Sequence, residues 1–310
     1  MAKILPDKIL YVVWVIDERE GPGIYFHEFL ASLTFFSYAN YSSEIHFRFI
    51  AYVPLSNLNI YQSLYTEYIS ASHYCRNIFV EFKAIRKSHL NNVYVSKVDC
   101  LFDCFHEIFI ANHDSTSLLL FTDCDCLALL DFITPLSSYL SSGRFDVAMS
   151  LECGALDLGF SPNYNTGIIF LSFNNAVSEV LTQWKHSINQ QADHGSDIGD
   201  QHIFRSVLVA NSTLRILTLH DTCNLRCHPV YDNQAFVWSP VSVVHNHEVT
   251  KLAYKCLNAS RLYSKFSHSN EKNIFQGFSH FFNPISNEYS PRCLQIDQMQ
   301  ILNHIWINQS

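Results

Sequence analysis

The sequence is short of charge. Only 15% of its 310 residues are Asp, Glu, Lys or Arg, and the 20 Lys and Arg form no basic block. With 28 acidic residues and a formal net charge of −8, the chain lacks what a binder of the phosphate backbone uses, and nucleic acid is not an expected partner. Long apolar runs are missing as well. The longest, Ile9–Ile16 and Leu118–Phe121, are strand-sized, against the roughly 18 to 20 residues of a membrane helix, so no transmembrane segment is expected. The start has a lysine on each side of Pro6 but no apolar stretch with a small-residue cleavage site, so no signal peptide is read. No Cys-x-x-Cys pair occurs, which leaves a structural zinc site without support. The ten cysteines are too sparse for a disulfide framework, and Cys75, Cys100, Cys104, Cys124 and Cys126 sit in apolar segments. Reduced thiols and a cytoplasmic location are expected. The Asn-x-Ser/Thr triplets at Asn40, Asn211 and Asn258 carry little weight without a secretory signal. A fixed repeat of 20 to 50 residues is also absent, which excludes solenoids.

What is abundant is apolar surface, at 48% of residues, enough for a folded core in one large α/β domain or two smaller ones. Apolar runs bounded by turn residues alternate with segments of helical period. The pattern predicts strands at Ile9–Ile16, Ile45–Val53, Ile78–Phe82, Leu118–Thr122, Asp146–Ser150, Thr166–Leu171, Arg215–Thr218 and Val241–His245. It predicts helices at Phe26–Tyr38, Tyr61–Ser72, Val95–Ile110, Ala176–Gln190 and Asp200–Val209. This is the rhythm of βαβ units around a largely parallel sheet. The last 50 residues lose that rhythm and read as an irregular wrap or a small helical cap. Ligands of such sheets sit beyond the carboxyl ends of strands, which singles out Asp17, Asp123-Cys124-Asp125, His245 and the turn Asn163–Gly167.

The sharpest feature is Leu118-Leu-Leu-Phe-Thr-Asp-Cys-Asp. A buried strand hands on to two carboxylates at i and i+2, which extended backbone would place on one side. Unless they are simply solvated at a surface turn, two such groups repel until a cation separates them. Mg²⁺ or Mn²⁺, with hard oxygen ligands and substrate phosphates, is the natural partner.

In its order of motifs the chain resembles the metal-dependent glycosyltransferases of the GT-A fold. The Asp-x-Asp at Asp123 and Asp125 is followed by the strand Phe145–Ser150, a loop with Asp157, the Asn-x-Gly element Asn165–Gly167 leading into a strand, and Trp184 in the next helix. Asp200-Gln201 then opens a helix, and His245 ends a late strand. Lys251, six residues beyond His245, resembles the retaining group around glycogenin and lipopolysaccharide galactosyltransferases, although Glu248 stands where that group has glycine and Leu252-Ala253 replace its Pro-Trp. The resemblance implies a catalytic domain over 1–250 with an extension at 251–310, and a Rossmann-like mixed sheet flanked by helices. It also implies transfer of a hexose from a nucleotide sugar, a UDP-sugar, to a glycan, glycoconjugate or protein acceptor. Asp123, Asp125 and His245 would hold Mn²⁺ or Mg²⁺, with His247 the alternative third ligand. Lys97, Asp17, Gly167 and Lys251 would meet the donor, and Asn165, Asp200 and Gln201 would position sugar and acceptor.

Each residue also has a plainer reading. Lys97 would be a solvated helix lysine, Asn165 and Gly167 a tight turn, and Asp200 an N-cap. Other classes remain. A HAD-type phosphohydrolase wants Asp-x-Asp-x-Thr/Val near its start, whereas Leu127 holds the fifth position here. A sugar nucleotidyltransferase wants a glycine-rich phosphate loop, and Ile16–Gly23 offers two glycines without a basic cluster. An inverting transferase would use Asp200 as base, and a non-catalytic carbohydrate binder on the same fold would need none of these residues.

Overall fold

The protein is described from a computed structural model, which covers residues 9–18, 20–40, 45–72, 74–75, 77–86, 93–111, 117–140, 144–151, 164–194, 199–226, 234–237, 240–262, 268–283, 292–295 and 298–307. In chain order the elements are β1 (Ile9–Val15), α1 (Ile24–Ala39), β2 (His46–Pro54), α2 (Leu58–Ser70), β3 (Val80–Ile85), α3 (Val93–Ala111), β4 (Leu118–Thr122), β5 (Cys126–Ala128), α4 (Ile133–Leu140), β6 (Val147–Leu151) and β7 (Tyr164–Ser172). There follow α5 (Asn175–Asp193), α6 (Asp200–Ala210), β8 (Ile216–Leu219), β9 (Leu225–Arg226), β10 (Gln234–Val237), β11 (Val243–His245), α7 (His247–Leu262), α8 (His268–Phe282), β12 (Arg292–Gln295) and α9 (Gln298–Ile307).

Seven strands form the main sheet in the order β3-β2-β1-β4-β7-β6-β8. It is mixed, because β7 runs antiparallel to both β4 and β6 while β1 to β4 are parallel. The order leaves β1 toward β2 on one side and toward β4 on the other, so the topological switch, where open sheets bind ligands, lies between β1 and β4. Alternation along β1 divides the core. Leu10, Val12 and Trp14 pack with Phe26, Phe29, Leu33 and Phe36 of α1 and the tyrosines of α2, whereas Tyr11 and Val13 pack with α3, α5 and α6 on the opposite face. Trp14 is fully buried and its Nε1 donates to Ser32 Oγ at 3.2 Å, satisfying the one polar atom it carries into the core.

Helix α1 is apolar all round because it has neighbours on two sides. Ala31 and Phe35 turn away from the sheet into a third cluster with α7, α8 and α9. The carboxyl-terminal segment is thus helical over α8 and α9. Beyond the helices the sequence pattern predicts, α7 follows His245 directly, with Val249, Leu252, Ala253 and Leu257 buried at helical spacing. The predicted strand and helix boundaries otherwise shift by a few residues, as at β3, read as Ile78–Phe82 and found at Val80–Ile85. Asp157 and Asn163 lie outside the described residues. Among those described, no helix is long and apolar enough to cross a membrane.

Candidate active site

The site begins with the end of β4. After five buried residues the chain does not stay extended, as the Asp-x-Asp spacing suggested. It turns, with Cys126 N donating to Asp123 O at 3.2 Å, and then enters β5. Asp123 N donates to Gly167 O at 2.8 Å, which fixes this turn against the amino end of antiparallel β7. Strand β11 pairs antiparallel with β5 and sets His245 directly opposite Cys126. Beyond it, Asn246 caps α7 by accepting from Val249 N, while Thr250 Oγ1 and Asn246 N both donate to Asp125 O. The backbone of the acidic turn is therefore held from β7, from β11 and from the first turn of α7.

The side chains meet as these elements dictate. His245 Nε2 lies 3.3 Å from Asp125 Oδ1 and 3.7 Å from Asp123 Oδ2, and the ring is buried. Gly167 is what makes room for it. A Cβ there would stand 2.4 Å from His245 Cε1 and 2.5 Å from Nδ1, so the role of Gly167 is this close approach within a strand, in place of the turn expected. Asn165 is likewise a strand residue; its Oδ1 accepts from Gly167 N and from Asn224 Nδ2, while Nδ2 is buried without a partner.

Lys97 is no solvated lysine. Its Nζ lies 2.7 Å from Asp200 Oδ2 and 3.0 Å from Asp123 Oδ1, and it donates to the carbonyl and hydroxyl oxygens of Thr166. Burial pulls its pKa down, and Asp123 and Asp200 together more than reverse that, leaving it raised. Asp200 does not cap α6, whose N-cap Gly199 has no side chain to offer. Its carboxylate instead accepts from Lys97 and from Thr166 Oγ1 at 2.9 Å, and its carbonyl accepts from Trp184 Nε1 at 3.2 Å.

Around this centre lies a cleft of about 820 Å³, bordered by Asp17, Asp123, Asp125, Lys97, Asn165, Asp200, Gln201, His245 and Lys251, with Gly167 just behind. Both carboxylate oxygens of Asp17 are buried without partners. Lys251 is paired with Glu248 at 2.9 Å. Five carboxylates, Glu248 among them, thus share one cleft with three cations, Lys97, Arg226 and Lys251. Burial raises the pKa of Asp123 against the pull of Lys97 and His245. Burial acts the same way on Asp125, but His245 and then His247 outweigh it and hold that carboxyl well below the usual range. Carboxylate oxygens and imidazole nitrogen suit Mn²⁺ or Mg²⁺, and the unpartnered Asp17 and crowded Asp123 and Asp125 are the groups a divalent cation and a polar ligand would satisfy. Among the described residues, the ligand atoms that all fall within 4.8 Å of one another are those of Asp125, Cys126 and His245, with Asp123 outside that group, but burial pushes the Cys126 thiol pKa well up, and Sγ donates to Gly167 O.

Several contributors escaped the sequence reading. Tyr25 and Tyr94, both partly exposed, border the cleft from the first turns of α1 and α3. Thr166 links Lys97 to Asp200, and Glu28 on α1 holds His247 by hydrogen bonds of 2.9 and 3.0 Å. A lone carboxylate inside the apolar run Phe26–Leu30 was the available signal for the last. Glu18 weakens the nucleotidyltransferase reading: its carboxylate accepts from Gly23, Tyr25 and Phe26 amides and fills the helix start where such an enzyme would take phosphate.

No protein-family profile matches the sequence, and no curated protein matches it by sequence. Solved structures do match in three dimensions. The galactosyltransferase LgtC, in complex with donor and acceptor sugar analogs, superposes with a TM-score of 0.52 at 12% identity, over 79% of this chain and 95% of that one. Mouse xyloside xylosyltransferase 1, in its apo form, gives 0.53 at 10% identity, over 78% and 99%. The chain has the GT-A fold.

Proposed function

We propose that the protein is a retaining glycosyltransferase that moves a hexose from a nucleoside-diphosphate sugar, a UDP-hexose, to a glycan, glycoconjugate or protein acceptor, with Mn²⁺ or Mg²⁺. One observation carries the reading: in a GT-A fold, Asp123, Asp125 and His245 converge at the switch point of the sheet, beside a cleft large enough for a nucleotide sugar.

Asp123, Asp125 and His245 would hold the cation, which supplies positive charge to the diphosphate as the bond to the anomeric carbon breaks. Asp17 offers two unpartnered oxygens to donor hydroxyl or ring N–H groups, and Tyr25 and Tyr94 offer ring faces. Asn165 Nδ2 and Gln201 border the cleft where sugar hydroxyls would lie. Asp200 supports retention over inversion, because a carboxylate oxygen already accepting from Lys97 and Thr166 is a poor base for an acceptor hydroxyl. Lys97 and Asp200 act together as a fixed frame for that wall of the cleft.

The test is a panel of sugar nucleotides with Mn²⁺, following nucleoside diphosphate release and the anomeric configuration of the first product by NMR. One donor should turn over and keep its configuration, and Asp125→Ala should lower the rate by about 10²- to 10³-fold. Release that persists in EDTA or in Asp125→Ala would refute the cation reading. A β product from an α donor, with Asp200→Asn inactive, would refute retention. Orthophosphate release from phosphomonoesters would point to the phosphohydrolase instead.

A further inference from the structure

Helices α5 and α6 frame a second cavity, of about 510 Å³, to which the reaction outlined above gives no role. Its polar walls come from Gln183, His186 and Ser187 of α5 and from His202 and Ser206 of α6. Among the described residues that line it there is no Asp, Glu, Lys or Arg. In a chain of net charge −8, next to a cleft crowded with ionic groups, that is an abrupt change of character. The two cavities share a wall. His202, exposed in the first turn of α6, borders both this groove and the cleft that contains Asp123 and Asp125. From His202 to Ala210 the helix rises about 12 Å, so the groove leads away from the cleft over more than one sugar ring.

The frame is fixed from beneath. Trp184 of α5 is fully buried, its Nε1 donates to the Asp200 carbonyl at 3.2 Å, and its ring centre lies 4.0 Å from that of Phe204. Asn211 Nδ2, just past α6, donates to Gln183 Oε1 at 2.8 Å. The two helices are thus tied together before any ligand arrives, which lowers the ordering cost of binding. Ile203 and Val207, both buried, supply an apolar floor. Amide, hydroxyl and imidazole side chains donate and accept hydrogen bonds, as sugar hydroxyls do, and an apolar floor takes the C–H face of a sugar ring. A polyanion would find no lysine or arginine among these walls to meet its charge.

We propose that the groove between α5 and α6 is an extended acceptor subsite, which takes the non-reacting sugars of a neutral oligosaccharide whose end reaches the cleft past His202. The inference rests on the glycosyl-transfer reading above and narrows its acceptor to an uncharged glycan longer than a disaccharide.

The test applies wild type, His186→Ala and Ser206→Trp, each with Mn²⁺ and UDP, to an array of neutral and anionic glycans graded in length. Dissociation constants for the glycan that wild type holds best are then taken by isothermal titration, and UDP-sugar turnover by wild type is followed in parallel. Wild type should favour neutral glycans longer than a disaccharide. For those, Ser206→Trp, which fills the groove, should weaken binding about 10-fold, and His186→Ala should act in the same direction. Ser206 and His186 are exposed, and the Ser206 hydroxyl donates within its own helix, to His202 O at 3.1 Å, so neither variant disturbs the core. Preference for anionic glycans, no gain with length, no bound glycan, or equal binding by wild type and Ser206→Trp would overturn the inference, and donor turnover by wild type would still leave the proposed function standing. Absence of turnover with every donor would overturn the proposed function, and this inference with it.

Discussion

A lysine with 9% of its side chain exposed stands between Asp123 and Asp200, so its positive charge is what lets two carboxylates share that wall of the cleft. Lys97→Met keeps the length and apolar stem but strands both anions. Removing one partner from a buried ion pair costs about 3–5 kcal/mol, so chemical denaturation should show a loss in that range, with secondary structure retained at low denaturant. A loss below about 1 kcal/mol would mean that water or rearrangement replaces the lysine. This arrangement was only half legible in the sequence. The family resemblance marked Lys97 as a residue that would meet the donor, but its contacts with Thr166 and Asp200 join residues 69 and more apart, and no local pattern encodes such a meeting. Glu28 illustrates the opposite case, a local anomaly that was visible and went unread.

Between elements, the site depends on how closely β7, β5 and β11 approach, and Gly167 sets that distance. Gly167→Ala would place a methyl group on the His245 ring, which must then swing from Asp125. The expected outcome is Mn²⁺ affinity about 10- to 100-fold weaker by isothermal titration, the cost of losing a positioning contact at a metal site. At the far end of the sheet a different device holds β6 beside β8. Asp146 accepts from Arg215 N at 2.9 Å, from Arg215 Nε and Nη2, and from Asn174 Nδ2. Burial would raise this carboxyl, but these bonds dominate and its pKa lies below the ordinary value. A lowered folded-state pKa means the stabilisation is present above the unfolded pKa of about 4 and disappears as pH falls through the folded one. Asp146→Asn should therefore cost about 2 kcal/mol at pH 7, with the gap from wild type closing as the pH drops below about 4, measured by urea denaturation at each pH.

At the scale of the whole molecule, periodicity carried the sheet and its flanking helices because those elements bury one side or both and so write a regular apolar pattern. The short strands β5 and β9 left no such trace, since two or three residues are too few for a period, yet β5 is what pairs with β11 and brings His245 to the acidic turn. The order of motifs along the chain supplied what local pattern did not. That assembly predicts a coupling between fold and ligand: Asp123 and Asp125 come from the β4–β5 turn, His245 from β11, and all three exist as a site only in the folded state. A cation bound there at 100 times its dissociation constant stabilises the fold by about 2.7 kcal/mol. For a chain of 310 residues that is a rise in melting temperature of about 4 °C. Differential scanning fluorimetry with Mn²⁺ and UDP should show the rise in wild type, its loss on adding EDTA, and no rise in Asp125→Ala. An equal rise in wild type and in Asp125→Ala would place the stabilising cation elsewhere on the protein.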